Sequence, residues 1–259
     1  MVDVARTVVF ALFGLMFGSF LTVVTERVPQ KRSIVAPRSA CPACGTQIET
    51  RDNIPVFSYL LLRGRCRSCR ARISPVYPLT ELATAGLFAG ASATFDDLFQ
   101  AVMVAVFLGL LLALSIIDAR HRIIPNRLVY PALLVFAAVV VAGGAADRGL
   151  DIVDAGIGLA AFGGGLFVVA LVSPRGMGMG DVKLAGLIGL VLGSLGLRYV
   201  AVAGGLGILA GGLGSLAAVA AGGGFRGRTI PFGPYLALGA AAAAFAAPQV
   251  SHAYLRLLT

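Results

Sequence analysis

The sequence predicts an all-α polytopic membrane protein of about eight transmembrane helices, with a small cytoplasmic zinc-ribbon-like insertion between the first helix and the second. Its 259 residues are 58% hydrophobic and only 13% charged, which is typical of polytopic membrane proteins rather than soluble domains. Long apolar runs recur along the chain, and one long polar segment containing all four cysteines interrupts them. We therefore divide the chain into a first transmembrane helix (1–25), a cytoplasmic four-cysteine loop (26–78) and a membrane domain (79–259).

Eight apolar runs are close to the length of a transmembrane helix, which crosses a core of roughly 30 Å with about 20 residues. The predicted spans are 7–25, 79–95, 98–117, 128–146, 152–173, 183–198, 200–221 and 232–250. The first run could instead be a signal peptide, since Arg6 precedes it. However, a basic flank follows it rather than a small-residue cleavage site, so we expect a retained helix.

Basic residues are concentrated in four loops that fall on one side of the membrane if eight helices alternate. Of the 21 Lys and Arg residues, 17 lie in loops 26–78, 118–127, 174–183 and 222–231. The positive-inside rule places these loops in the cytoplasm and both chain termini outside. The net charge of +9 is thus explained by topology in a lipid membrane, and no nucleic-acid partner is expected.

The cysteines of the insertion have the spacing of a zinc ribbon. They form two C-x-x-C pairs, Cys41 with Cys44 and Cys66 with Cys69. Four thiolates close a tetrahedral structural zinc site, and Gly45 suits the tight turn after the first pair. Because the insertion has few large apolar residues, metal binding would supply folding free energy that a hydrophobic core cannot. Two disulfides or four unrelated thiols are the alternatives, and the reducing cytoplasm argues against the disulfides.

Two aspartates lie at the ends of apolar runs on the predicted cytoplasmic side. Asp118 closes the third run, in SIIDARHRIIPN, and Asp181 opens the sixth, in GMGMGDVKL. An ionisable side chain at membrane depth costs about 2.5–3.5 kcal/mol and usually marks function. When two carboxyl groups share a partly dry site, one keeps a proton while the other acts as a base, as in an aspartic protease. The pattern therefore favours Asp118 and Asp181 as a catalytic pair.

The residues around the aspartates fit this hypothesis but leave simpler roles open. Gly176, Gly178 and Gly180 allow an irregular backbone and the close approach of a substrate. Irregular backbone at membrane depth is tolerated only beside a cavity or inside protein. Asp181 could instead cap the sixth helix, because a carboxylate is favoured at a helix N-terminus. Asp118 could instead pair with a basic residue of its own loop.

Five ordered segments resemble those of the type IV prepilin peptidases, which are bacterial inner-membrane aspartic proteases. The segments are GSFLTVVTERVP (18–29), the cysteine loop (41–81), SIIDARHRIIPN (115–126), GMGMGDVKL (176–184) and IPFGPYLALGA (230–240). In the fourth segment, GMGD resembles the family motif G-x-G-D. The resemblance implies that residues 79–259 form an aspartic peptidase domain, and it assigns Asp118 and Asp181 to the two catalytic positions.

The resemblance also implies the reaction, which is cleavage of leader peptides from prepilins and pseudopilins at the cytoplasmic membrane face. Many members with the four-cysteine loop then methylate the new N-terminal amine with S-adenosylmethionine, so a second activity is expected. Gly64, close before the second cysteine pair, is the candidate residue for methyl transfer. Three positions depart from the family pattern: Thr22 replaces a common asparagine, Val76 a common arginine and Asn126 a common aspartate.

Two other classes of function are compatible with parts of the sequence. Glycine-rich apolar helices such as residues 201–224 pack closely in transporters and channels. Transporters of this kind, however, favour inverted repeats and midplane charges, which the sequence lacks. A membrane scaffold would dock a partner or anionic lipid through the five arginines between Arg63 and Arg72. The same arginines are also expected as a solvated face that enforces topology.

Overall fold

The structure is a computed structural model that describes residues 3–173, 177–220 and 231–258, with side chains described as far as 216 and 246 in the last two segments. The described residues form helices and loops without a strand, and two isolated antiparallel bridges occur in the insertion. This confirms the all-α class. Gly176 and most of the predicted cytoplasmic loop 222–231 lie outside the described residues.

The long helices follow the predicted apolar runs in order along the chain. The helices are α1 (Val4–Arg27), the short α2 (Phe57–Leu61) within the insertion, α3 (Val76–Thr94), α4 (Leu98–His121), α5 (Asn126–Ala145), α6 (Ile152–Gly158), α7 (Gly164–Val172), α8 (Met179–Gly193), α9 (Leu197–Ala220) and α10 (Gly233–Leu258). A π-helical segment, Leu159–Gly163, joins α6 and α7 into one continuous run. A single 3-10 turn, Thr50–Asn53, precedes α2.

Five of the described helical runs are long and apolar enough to cross a membrane. They are α1, α4, α5, the joined run of α6 and α7, and α9. This supports a multi-pass membrane protein, whereas the count of eight spans stays a prediction. Helix α8 has 15 residues, a length of about 22 Å that is shorter than a bilayer core of roughly 30 Å. It also begins ahead of the predicted span 183–198, so Asp181 lies inside its first turn.

Short turns join the helices at one end of the bundle, which we call the turn end. The side chain of Arg6, near the start of α1, donates to the backbone carbonyl of Phe95 in the α3–α4 turn at 3.0 Å. The backbone N–H of Asp151 donates to the carbonyl of Ser194 at 2.8 Å, joining the α5–α6 and α8–α9 turns. Because short connections make neighbouring helices antiparallel, the insertion, the end of α4 and the starts of α5, α8 and α10 lie at the opposite end, which we call the loop end.

Glycines bring the run of α6 and α7 against α8 with almost no space between the backbones. A Cβ atom added at Gly189 would overlap the carbonyl oxygen of Gly158, and one at Gly163 would lie 2.8 Å from the Cα of Gly186. In a regular α-helix, residues five apart point in different directions, but a π-helical segment inserts an extra residue into the turn. Segment Leu159–Gly163 therefore turns Gly158 and Gly163 toward the same neighbour.

The two helices that carry the predicted catalytic aspartates form the core of the bundle. In α8, every residue from Leu184 to Gly193 is buried, and α4 is buried along most of its length. Large aliphatic side chains of both helices are fully or almost fully buried, among them Leu111, Ile117 and Leu187. A site built on packed helices keeps its geometry better than one built on loops.

Candidate active site and metal centre

Asp118 lies in the last turn of α4, at the loop end, and its side chain is buried. A carboxylate is disfavoured at a helix C-terminus, where the helix dipole presents its negative end. Helix α10 offsets this cost, because the backbone N–H of Gly233, its first residue, donates to Asp118 Oδ2 at 3.0 Å. The structure thus places the positive end of one helix on the carboxylate that ends another.

Asp181 is the third residue of α8 and is half-buried. Its carboxyl group interacts with the backbone N–H of Gly178, the N-cap residue of α8. A side chain at this position that reaches back to the N-cap is the arrangement of a capping box. Helix capping, the alternative role, therefore accounts for one contact of Asp181. A carboxyl group has two oxygens and can make further interactions beside this one.

The structure places Asp118 and Asp181 at the same end of the bundle, the loop end, near enough for their charges to interact. Among the described residues, Asp118 is the charged group that acts electrostatically on the carboxyl group of Asp181. None of the described ion pairs includes either aspartate, so the pairing of Asp118 with a basic residue of its own loop is not observed. The segments that carry the aspartates also touch directly: a Cβ atom at Gly180 would lie 3.0 Å from the Cβ of Ile124.

A lysine that sequence reasoning did not single out links these two segments. Lys183 Nζ donates to Asn126 Oδ1 at 3.0 Å and lies 5.0 Å from the centre of the Tyr130 ring. Lys183 follows Asp181 by two residues in α8, and Asn126 begins α5. The available signal was a lysine inside an otherwise apolar helical run. The contact holds the start of α8 against the start of α5, beside the aspartates.

Gly233 is a second site residue that was missed. A Cβ atom at this position would lie 2.8 Å from Asp118 Oδ2 and 3.3 Å from its carboxyl carbon, so the approach of α10 requires glycine. The segment IPFGPYLALGA was noted only as a resemblance. No local pattern indicated that Gly233 meets a carboxylate 115 positions earlier in the chain.

The four cysteines converge in the insertion as the spacing predicts. Their Sγ atoms all lie within 4.8 Å of one another, and those of Cys41 and Cys69 are 3.8 Å apart. Four sulfur ligands placed tetrahedrally around zinc at about 2.3 Å are about 3.8 Å apart. All four cysteines are free, so the disulfide alternative is not observed. The donor set and its spacing therefore fit a tetrahedral metal ion.

Two equivalent knuckles build this cluster. The N–H of Gly45 donates to the carbonyl of Cys41 at 2.8 Å, and the N–H of Arg70 donates to that of Cys66 at 3.0 Å. Gly45 and Arg70 occupy the same place in their knuckles and both adopt a left-handed backbone, with φ of 72° and 61°. Hydrogen bonds from Thr46 lower the pKa of the Cys44 thiol to about 6, which favours the thiolate that a metal needs.

An ion pair ties the second knuckle to the 3-10 turn of the insertion. Arg67 contacts both carboxylate oxygens of Asp52, with Nε at 2.7 Å from Oδ2. This pairing holds the pKa of Asp52 below its usual range. Arg67 is therefore used within the insertion, which weakens the idea that the arginine run is a free docking face.

Gly64 lies in the insertion, at the end of the turn that follows α2. Its backbone is left-handed, with φ of 65°, and its N–H donates to the carbonyl of Tyr59 at 2.8 Å. A Cβ atom here would lie 2.9 Å from the Tyr59 hydroxyl, in a cleft of about 570 Å³. Gly64 thus shapes one wall of a cleft that arginines also line.

Both the cysteine-containing N-terminal part and the aspartate-containing part of the chain match known protein families. A model described as the bacterial peptidase A24 N-terminal domain matches residues 12–95, which include the four cysteines. A model described as the type IV leader peptidase family matches residues 105–219, which include both aspartates. The two matches follow each other along the chain: the first ends just after α3, and the second begins within α4.

Curated relatives match nearly the whole chain. A prepilin leader peptidase/N-methyltransferase of Bacillus subtilis is 36% identical over 248 residues, 95% of this chain and 96% of that protein. One of Pseudomonas aeruginosa is 34% identical over 95% of this chain and 92% of its own length. An Escherichia coli protein named type 4 prepilin-like proteins leader peptide-processing enzyme is 35% identical over 91% of this chain and 92% of its length. No solved structure matches the chain.

Proposed function

This chain belongs to the type IV leader peptidase family, and we propose that it cleaves the leader peptides of prepilins and pseudopilins with Asp118 and Asp181 as its catalytic pair. The observation that supports the proposal is the placement of two carboxyl groups, one from α4 and one from α8, at the loop end of the bundle, near enough for their charges to interact. The relatives are named for this reaction, and neither their names nor the site favours a transporter or a scaffold.

The chemistry follows from two carboxyl groups that share one proton. The ionised aspartate takes a proton from water, and the water oxygen attacks the scissile carbonyl carbon. The protonated aspartate then donates its proton to the departing amine nitrogen as the C–N bond breaks. The N–H of Gly233 stabilises negative charge on Asp118, and the irregular backbone before α8 lets the substrate chain approach.

Substitution of either aspartate tests the proposal. Asp118→Asn or Asp181→Asn should abolish cleavage of a co-expressed prepilin, followed by a mobility shift, because an amide cannot exchange the proton. Zinc content should stay the same, since the cysteine cluster is a separate site. Asp147→Asn, an exposed aspartate at the turn end, is the matched control and should cleave normally. Cleavage by either variant of the pair would overturn the assignment.

We propose a second activity, methylation of the new N-terminal amine by S-adenosylmethionine, as the names of the relatives indicate for those proteins. The left-handed Gly64 beside the insertion cleft is the first residue to test for this step. Mass spectrometry of a co-expressed prepilin separates the two activities, because leader removal and methylation change the mass by different amounts. A cleaved product without the added methyl group would refute the second activity alone.

We also propose that Cys41, Cys44, Cys66 and Cys69 hold a structural zinc ion. Four thiolates leave no open position for a catalytic water. The metal would instead fix the two knuckles, which have little apolar surface of their own, and so hold the insertion in place above the loop end.

We propose that the loop end faces the cytoplasm in the bacterial inner membrane, with eight spans and both termini outside, surrounded by membrane lipids. The clustering of 17 of the 21 basic residues in the four loops supports this orientation. Reporter domains that are active only outside the membrane test it when they are fused near residue 146 or within loop 122–125. Activity of the second fusion and inactivity of the first would reverse the orientation.

A further inference from the structure

Glu81 is a buried acid for which the cleavage reaction has no role. Among the described residues, two carboxylic acids are buried: Asp118, which belongs to the proposed catalytic pair, and Glu81, which is 7% exposed. Glu81 lies early in α3, near the loop end, and the described ion pairs do not include it. Burying a carboxylate without a compensating partner is energetically costly. The groups around Glu81 therefore indicate what kind of ligand it can bind.

Neutral donors surround the carboxyl group of Glu81. The backbone N–H of Val56 donates to Glu81 Oε2 at 2.7 Å, and the Ser19 side chain also forms a hydrogen bond with the group. Helix α1 reaches this point because Gly18 lies against it: a Cβ atom at Gly18 would be 2.7 Å from the Cα of Glu81. The insertion, α1 and α3 therefore converge on Glu81, and the described part of the chain supplies no cation for it.

The insertion holds the N–H of Val56 in place with a strained backbone. Val56 has φ of 60° and ψ of −49°, and the N–H of Phe57 donates to the carbonyl of Pro55 at 2.5 Å. This is a γ-turn of the rare strained form, and a β-branched residue at its centre is unfavourable. Strain of this kind persists where the surrounding structure enforces it, often at functional sites. Here it aims a donor at Glu81.

The group faces the same end of the bundle as the aspartate pair. Tyr77, one helical turn before Glu81 in α3, donates its hydroxyl to Glu26 Oε2 at 3.0 Å. Arg120, two residues after Asp118, acts electrostatically on that hydroxyl. The surface beside Glu81 therefore adjoins the end of α4, where cleavage would release a new N-terminal amine. The protonated form of this amine, an ammonium group, is a cation that a buried carboxylate without a counterion can bind.

We propose that Glu81 binds the N-terminal amine of the cleaved product and accepts its proton during methylation. The inference rests on the proposed methyltransferase activity. The bound ammonium group first gives one proton to the Glu81 carboxylate, which leaves a neutral amine. The amine nitrogen then attacks the methyl carbon of a sulfonium donor; the N–C bond forms, and the S–C bond breaks with its electron pair leaving on sulfur. The donor becomes a neutral thioether, and the product nitrogen carries the new methyl group and the positive charge. The hydrogen bonds from Val56 and Ser19 orient the carboxylate for this transfer.

The test uses a synthetic peptide that already has the mature N-terminus, so that methylation is measured without cleavage. Purified full-length protein with zinc, S-adenosylmethionine and this peptide is followed by mass spectrometry across a range of pH. Glu81→Gln should lower kcat/KM for methylation at neutral pH at least 100-fold, because the amide keeps an acceptor for Val56 but cannot take a proton. Glu81→Asp should recover part of the activity.

The pH profile separates proton acceptance from a structural role. The rate of the Glu81→Gln variant should climb about tenfold per pH unit up to the amine pKa of roughly 7.7–8.0, because solvent must remove the proton instead. The wild-type rate should level off at lower pH. A structural defect would lower the rate without changing the profile. Equal zinc content and thermal midpoint in Glu81→Gln and the wild type confirm that the variant is folded.

Glu26→Gln is the matched control, since Glu26 is an exposed acid of the same surface, and it should methylate within about threefold of the wild type. Wild-type activity in Glu81→Gln, or a reduced rate with the wild-type pH profile, would overturn the role of Glu81 alone. Failure of the wild-type protein to methylate the peptide would overturn the methyltransferase proposal and this inference with it.

Discussion

Among single residues, a glycine is essential to the candidate site because it lets a backbone N–H approach a buried carboxylate. The buried carboxylate of Asp118 ends a helix whose dipole opposes it, and the N–H of Gly233 compensates this at 3.0 Å. Any side chain at Gly233 would enter the space of the carboxylate. The position of the Asp118 carboxyl group therefore requires a glycine at residue 233.

Gly233→Ala should lower kcat/KM for prepilin cleavage about 10- to 100-fold, because small displacements of a reacting group carry large penalties. The added Cβ would lie 2.8 Å from Asp118 Oδ2 and displace the carboxyl group from its present position. Gly205→Ala in α9, where a Cβ meets nothing within 4 Å, is the control and should cleave normally. Cleavage assays on purified protein decide the matter, and equal rates for the two variants would contradict this view of Gly233.

The two knuckles predict a stabilising substitution in the insertion. Arg70 occupies the left-handed position that Gly45 occupies in the first knuckle, and this conformation costs a non-glycine residue about 1–2 kcal/mol. Arg70→Gly should therefore tighten zinc binding about fivefold in competition with a chromophoric chelator, which corresponds to about 1 kcal/mol. Arg72→Gly, at a bridge residue without positive φ, should bring no gain. Weaker binding in Arg70→Gly would refute the strain argument.

At the scale of elements, α8 is positioned by backbone contact rather than by large side chains. Gly189 and Gly186 both face the run of α6 and α7, but the space around them differs. A Cβ atom at Gly189 would overlap the carbonyl oxygen of Gly158, whereas one at Gly186 would meet the Cα of Gly163 at an ordinary 4.0 Å. The same helix therefore offers a matched pair of substitutions.

Gly189→Ala should destabilise the protein by about 1–3 kcal/mol, the usual cost of overpacking, and should lower cleavage because α8 carries Asp181. Gly186→Ala should have little effect on either. Thermal unfolding in detergent and a cleavage assay on both variants measure the difference. If Gly186→Ala lowered stability and cleavage more than Gly189→Ala, the backbone contact between Gly189 and Gly158 would not be what positions α8.

At the scale of the whole molecule, the loop end gathers the functional features. The aspartate pair, Glu81 and the insertion with its cysteine cluster all lie there, while short turns and hydrogen bonds close the other end. One face can thus serve two successive reactions on the same chain terminus. The metal site would act on this face indirectly, through the contact between Val56 and Glu81.

The purified protein should contain one zinc ion per chain at neutral pH, and acidification toward pH 5 should release it. Thiolate ligands take up protons as the pH falls, so protonation competes with the metal. Elemental analysis after desalting at each pH measures the occupancy. Cys44→Ala should lower the zinc content while the helical signal in circular dichroism persists, since the long helices lie outside the insertion. Zinc that stayed bound at pH 5, or was absent at pH 7, would contradict a four-thiolate site.

Local sequence patterns were enough to predict the helical membrane class, the order of the long helices, the convergence of the cysteines and the two candidate aspartates. These features depend on local composition and spacing, because an apolar run or a C-x-x-C pair acts over a few neighbouring residues. The eight predicted spans were less accurate at α8, where glycine and alanine blur the boundary. The π-helical segment was not predicted, since its cause lies in a neighbouring helix.

The groups that contact the buried acids could be identified only from the packing of the folded chain. The contact of Gly233 with Asp118 joins residues 115 positions apart, that of Lys183 with Asn126 joins residues 57 apart, and that of Val56 with Glu81 crosses from the insertion to α3. Each contact depends on how helices pack and on how closely glycines let backbones approach. A local sequence pattern cannot predict these contacts, because each contact surface is formed by two elements that are distant along the chain.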